Sequence, residues 1–205
     1  MIIFGLSVFY IFGLIGTGSF HCPNCGGDRQ YEHRTARRFF TLFFIPVIPL
    51  NKVGEVVRCT TCRTRFDPAV LRRPTTAQLA AALPTGMRAV AAAMLHSGGT
   101  SERAAAAAVD AVRRTGLPTY DVGQLRADVS QPIQAAAGPL QALAAHLTPE
   151  ACEQHLAEGV RIGLADGPLT SAERDCIRWI AANLGMTPAH AEGVISTVEQ
   201  SVTRG

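Results

Sequence analysis

The sequence predicts an α+β protein in two modules, a small all-β unit at the amino terminus followed by an all-α unit. Three observations carry that prediction. Two Cys-x-x-Cys pairs, Cys22/Cys25 and Cys59/Cys62, lie in the first third of the 205 residues. All nine phenylalanines fall there too, the last being Phe66. From Pro74 onward alanine dominates and phenylalanine is absent, so a strand-favouring composition gives way to a helix-favouring one. Charge divides at the same place: residues 1–74 hold ten Arg or Lys against four Asp or Glu, and residues 75–205 hold nine against twelve. The boundaries that follow are 1–70 for the β module, 71–82 for a Pro- and Arg-bearing linker and 83–205 for the helical module.

The cysteine pairs point to a metal. Each x-x spacing forms a tight turn that aims both sulfurs at one point, and two such turns can surround one tetrahedral ion. Gly26 supplies the positive φ that the first knuckle needs, and Pro23 pre-sets φ inside it. Four sulfurs close the coordination sphere and leave no position for a substrate or water, so the site is structural. One zinc ion held by Cys22, Cys25, Cys59 and Cys62 is expected. Iron in a rubredoxin-like site is the chemical competitor, with nothing in the sequence to indicate redox partners. Metal thiolates require a reducing compartment, which points to the cytoplasm. Cys152 and Cys176 lie in helical patterns and read as buried free thiols, with a disulfide between them as the other reading.

Two apolar runs flank the first pair. Residues 1–16 carry no charge, yet they lack the basic n-region and small-residue cleavage site of a secretory signal and fall short of the ~20 residues that span a bilayer. Residues 39–50 (FFTLFFIPVIPL) contain Pro46 and Pro49, which argue for extended rather than helical structure. Both runs are expected to be strands packing on each other around the metal site; contact with a membrane surface is the alternative. Short strands at 18–21 and 54–58 lead into the knuckles, and the long spacing between the pairs implies an extended hairpin. His21 and His33 read as surface or second-sphere residues, since four cysteines already complete the site. Arg34, Arg37 and Arg38 precede Phe39 and Phe40, a pattern compatible with nucleic acid but read more simply as a solvated or headgroup-facing rim.

The segments FHCPNCGGDRQYEHR, RRFFTLFFIPVIPLNKVGEVVRC and TTCRTRFD resemble a bacterial zinc-ribbon family in which an FFIPxIPL-type segment joins two cysteine pairs. The resemblance covers about the first seventy residues and implies that the four cysteines are zinc ligands. That family carries polar or basic residues in its first strand, whereas residues 10–12 here are apolar. An apolar segment between two cysteine pairs is also similar to the LITAF-type arrangement, which bears on the membrane alternative.

After the linker, helical patterns follow in series. Residues 85–96 place Met87, Val90, Ala91, Met94 and Leu95 on one face, and 101–115 place Ala105, Ala108, Val109 and Val112. Residues 119–147 read as one or two helices interrupted near Gly138-Pro139. Residues 149–165 align Cys152, Leu156, Val160 and Leu164. Thr170 and Glu173 form a capping box opening a helix to Leu184 that turns Cys176, Ile177, Ile180 and Ala181 inward. Residues 188–202 bury Ala191, Val194, Ile195 and Val198. A repeat at an offset of 69 relates Leu95 to Leu164, Gly98 to Gly167 and Gly116 to Gly185, as in a duplicated helical hairpin.

The stretch LADGPLTSAERDCIRWIAANLGM resembles the tellurite-resistance TerB-like family through Asp166, Gly167, Glu173, Leu184 and Gly185. The resemblance implies an all-α module and acidic residues linked to metal, making Asp166 and Glu173 a candidate second site. The first repeat offers only Ser97 and Ala104 at those places, so the simpler reading is that Asp166 shapes a turn and Glu173 completes a cap. His96, His146, His155 and His190 are scattered without paired spacing. No nucleophile–base arrangement or phosphate-cradling glycine loop is readable. The expectation is therefore a non-enzymatic zinc-binding adaptor or scaffold with a protein partner, in an envelope or metal (tellurite-type) stress response. The rivals are a peripheral membrane protein using residues 1–16 and 39–50, and a nucleic-acid-binding ribbon.

Overall fold

A computed structural model of the chain describes residues 4–9, 13–42 and 45–203. The chain divides into two units, Met1–Gln78 and Leu79–Gly205. In the first unit the phenylalanine-bearing sequence builds one antiparallel sheet from β1 (Phe4–Phe9), β2 (Leu14–Cys22), β3 (Gly27–Leu42), β4 (Ile45–Cys59) and β5 (Arg65–Phe66). Strand β3 is central. It pairs β2 along its first half and β1 along its second half, β4 pairs it on the other side, and β5 joins β4 at Val57 and Arg58. Gly13, at φ +100°, precedes β2, and its carbonyl accepts from the Thr35 N–H at 2.9 Å. Alternation along β2 turns Phe20 and Cys22 inward, where they meet Val57 and Cys59. The Phe20 ring is edge-on to Tyr31 and Phe66, with centroids 5.6 and 5.9 Å away.

Where they are described, at 4–9, 14–16, 39–42 and 45–50, the two apolar runs are strands, as the prolines and short lengths predict, but they do not surround the metal site. Leu6 and Ile48 flank Phe40, and Phe4 and Ile45 flank Leu42. These rows lie twelve or more residues along β3 from Gly27, roughly 40 Å at strand rise. The reason is that β3 runs unbroken for 16 residues and carries the runs to the far end of the ribbon. Pro46 and Pro49 are accommodated because β4 over this stretch has a partner only on its β3 side among the described residues. The apolar residues 10–12 and Phe43 and Phe44 lie outside the described residues.

The segment read as a linker is largely helical. A 3-10 turn spans Pro68–Arg72, capped by Asp67, whose carboxylate accepts from the Ala69 N–H. Helix α1 then runs Thr76–Gly98, nine residues longer at its start than the periodicity indicated. Thr75 and Gln78 close it reciprocally: the Thr75 hydroxyl accepts from the Gln78 N–H, and the Gln78 side chain accepts from the Thr75 N–H. Asp28 adds its carboxylate to the Thr76 and Ala77 N–H groups, which holds its ionisation below the usual range. Pro84 lies inside this helix, where it lacks the N–H that would bond one turn back.

The second unit is all-α: the rest of α1, α2 (Glu102–Arg114), α3 (Val122–Val129), α4 (Ala137–Ala144), α5 (Pro149–Gly163), α6 (Ser171–Asn183) and α7 (Pro188–Thr203). Every residue assigned inward from the periodicity is buried except Ala105, Leu164 and Val194, which are half-buried against the same core. Helices α2 and α6 begin and end 69 residues apart. Their N-caps are Ser101 and Thr170, and Gly116 and Gly185 follow them at φ +107° and +78°. Gly138 and Pro139 do not break the chain; they open α4, where a missing N–H costs nothing, and the interruption falls instead before Pro132. By length and composition the stretch Pro68–Gly98 could cross a membrane, but Met87, Val90, Ala91 and Met94 within it belong to the helical core.

Close packing of α1 on α4 rests on Gly86. A Cβ there would stand 2.4 Å from Leu143 Cδ2 and 3.1 Å from Leu143 Cβ. Gly86→Ala is therefore expected to destabilise the helical unit by about 1–3 kcal/mol through overpacking, although Ala favours a helix by about 1 kcal/mol. Thermal unfolding followed by circular dichroism checks this: a raised midpoint would contradict the packing argument.

Candidate metal centre

Two equivalent knuckles build the site. In the first the Gly26 N–H donates to the Cys22 carbonyl, and in the second the Arg63 N–H donates to the Cys59 carbonyl, both at 3.0 Å. The residue after each pair is left-handed: Gly26 at φ +67° and Arg63 at φ +59°. The first was legible as a glycine; the second was not, because an arginine accepts that conformation only under constraint. Strands β2 and β3 fix the first knuckle through the Cys22–Gly27 pair. The second is fixed by the Cys59–Tyr31 pair and by the Cys59 N–H donating to the Thr64 carbonyl.

The knuckles bring Cys22, Cys25, Cys59 and Cys62 together, with all four Sγ atoms within 4.8 Å of one another. Cys22 Sγ and Cys62 Sγ are 3.8 Å apart. A tetrahedral ion with metal–sulfur bonds of about 2.3 Å requires neighbouring sulfurs about 3.8 Å apart, so the cluster fits such an ion. Cys22 and Cys59 are fully buried, while Cys25 and Cys62 are half-buried.

Proton affinities within the cluster are split. Burial, and then hydrogen bonds with the neighbouring thiols, push Cys25 up to about 12. The Thr64 side chain and backbone, helped by Asn24, pull Cys62 down to about 5. Four thiolates this close repel one another, and a bound cation removes that conflict. Thr64 and Asn24, linked to each other at 3.4 Å, are the supporting residues that spacing alone did not reveal.

Among the other candidates His21, His33, Arg34 and Glu173 have structural partners. His33 Nε2 lies 2.9 Å from Glu55, and His21 Nδ1 lies 3.6 Å from Asp28. Arg34 pairs with Glu32 at 3.0 Å, and Arg37 is exposed. In the helical unit Glu173 is buried and accepts from the Thr170 N–H and hydroxyl, both at 2.8 Å, completing the capping box. Its other oxygen faces Gly98, where a Cβ would stand 2.2 Å away. Asp166 is exposed, and neither acid belongs to a group of three or more metal-capable side chains among the described residues. Cys152 and Cys176 are buried free thiols, and burial raises both.

A feature the sequence did not reveal joins α1 to α3. Arg88 donates twice to Asp128, at 2.8 and 2.6 Å, and the Tyr120 hydroxyl donates to the same carboxylate at 2.7 Å. Burial alone would raise Asp128, but these bonds prevail and lower it, while burial and Asp128 raise Tyr120. Arg88 and Asp128 line a cleft of about 230 Å³ with His96 and Ile133.

A zinc-ribbon family profile matches residues 20–76, and the profile described as tellurite resistance protein TerB matches residues 85–194. No curated protein and no solved structure matches the chain.

Proposed function

The chain belongs to the tellurite-resistance TerB family and carries a zinc ribbon ahead of its helical unit, and from that premise we propose that it is a non-enzymatic adaptor whose ribbon is held by one structural zinc ion. The observation that carries the reading is the closed four-sulfur cluster, in which Cys22, Cys25, Cys59 and Cys62 would occupy every tetrahedral position. Such an ion supplies folding energy and offers no site to a substrate. Zinc suits an all-thiolate set better than the hard cations, and iron is the alternative to be separated by metal analysis. The two units differ in charge sign, which suits a chain that meets two different partners. The association with tellurite-type stress and with the cytoplasm rests on the family and on the reduced thiols.

Elemental analysis of the purified chain should find one zinc per molecule, and less in Cys22→Ser. A strain lacking the protein should tolerate tellurite less well, with tolerance restored by the wild-type chain. Iron in place of zinc would overturn the metal assignment, and unchanged tolerance would overturn the stress role.

A further inference from the structure

We propose that the far end of the β ribbon inserts shallowly into an anionic lipid surface. The sheet register supports this more sharply than the sequence did. Beyond the row Phe9, Arg37 and Lys52, the paired rows hold Leu6, Phe40 and Ile48, then Phe4, Leu42 and Ile45. Residues 1–20 and 39–51 contain no Asp, Glu, Lys or Arg, so this end of the ribbon is uncharged on all three strands. Ile45 and Ile48 are 65% and 52% exposed, an outlay of apolar surface that water does not favour.

Immediately behind that end, three basic residues come into neighbouring positions from two strands. Arg37 pairs across with Lys52, and Arg38 is next along β3, opposite Val8. Arg37 and Lys52 are exposed; Lys52 also reaches Glu55 at 2.6 Å. An uncharged apolar end with a cationic collar one row behind it matches the layering of an anionic leaflet, with acyl chains inside and phosphates at the rim. Charge complementarity thus selects anionic lipid as the occupant.

Depth follows from the backbone. The rows from the collar outward number about six, or roughly 20 Å of strand, against a hydrocarbon core of about 30 Å. Among the described residues, β1 has no strand on its outer side and β4 has none along residues 45–56. Open edges carry backbone N–H and C=O groups that hydrocarbon cannot satisfy, so the ribbon dips into the interface and does not span.

The test is flotation of the full-length chain with phosphatidylcholine vesicles, with and without phosphatidylglycerol. The wild type is expected to float with the anionic vesicles and to be released by high salt. Ile45→Asp with Ile48→Asp should reduce flotation by on the order of tenfold or more, and Arg37→Gln, Arg38→Gln and Lys52→Gln together by a similar factor. The milder Ile45→Ser and Ile48→Ser should weaken it in the same direction, with circular dichroism confirming that each variant is folded. No flotation of the wild type, equal flotation with neutral vesicles, or flotation untouched by these substitutions overturns the proposal. So does an oligomer that does not float and that Ile45→Asp with Ile48→Asp dissolve, which would make a second copy of the chain the occupant.

Discussion

Stripping the ion with a chelator, or replacing Cys59 by Ser, is expected to unfold the ribbon while the helices persist. Among the described residues the ribbon's core holds only Phe20 and Val57 as fully buried apolar side chains besides its cysteines. Their burial stabilises by about 3–6 kcal/mol, whereas a structural zinc contributes about 10–16 kcal/mol of apparent binding energy. The ion is therefore the larger effect, and sixty-odd ordered residues cannot be held by the apolar cluster alone. The helical unit has its own core, including Tyr120, Leu140, Leu156, Ile177 and Ile180, all fully buried. Far-UV circular dichroism after chelation should keep its helical minima, and heteronuclear spectra should lose the dispersed strand resonances of residues 14–59. A ribbon that keeps those resonances without metal would refute the stapling role of the cysteines.

Asp128→Ala is expected to cost the helical unit about 2–3 kcal/mol. Breaking a fully buried pair costs about 3–5 kcal/mol, and the value is reduced here because the Arg88 side chain is 41% exposed and can reach water. Tyr120 is fully buried, so its hydroxyl loses its acceptor without compensation. Asp128→Asn, which keeps an acceptor oxygen but no charge, should cost less. The pH dependence has a definite sign. The folded carboxyl is depressed, so its contribution is complete above the unfolded value near 3.9 and disappears as pH falls through the depressed folded value. Denaturant midpoints measured from neutral to acid pH should fall more steeply for the wild type than for Asp128→Asn over that window. Parallel curves would remove Asp128 from the account.

Legibility followed the kind of signal. The cysteine pairs declared their partners because two short turns leave a sulfur only one place to go, and Gly26 declared its φ for the same local reason. Helix faces were readable where apolar residues recur at helical spacing, as with Val90, Met94, Leu156 and Ile177. Pro139 misled because a proline reports only its own missing N–H. Whether that is costly depends on where the helix starts. The Arg88–Asp128–Tyr120 cluster was invisible because residues 88 and 128 meet only through the packing of α1 on α3. The apolar runs were readable as strands but not as a distant end, since distance along a ribbon depends on β3 continuing unbroken past Ala36.

The 69-residue offset between α2 and α6 also relates side chains of different size. Met94 and Ala104 in the first copy correspond to Gly163 and Glu173 in the second. All four are buried, and a Cβ on Gly163 would stand 2.9 Å from the Met94 Cε and 3.5 Å from Glu173. One copy pairs a long residue with a short one, and its twin reverses the order, so both long side chains share a single interior volume. At these positions the two hairpins are complementary in size rather than alike. A larger side chain in place of Gly163 would compete for space that Met94 and Glu173 already fill.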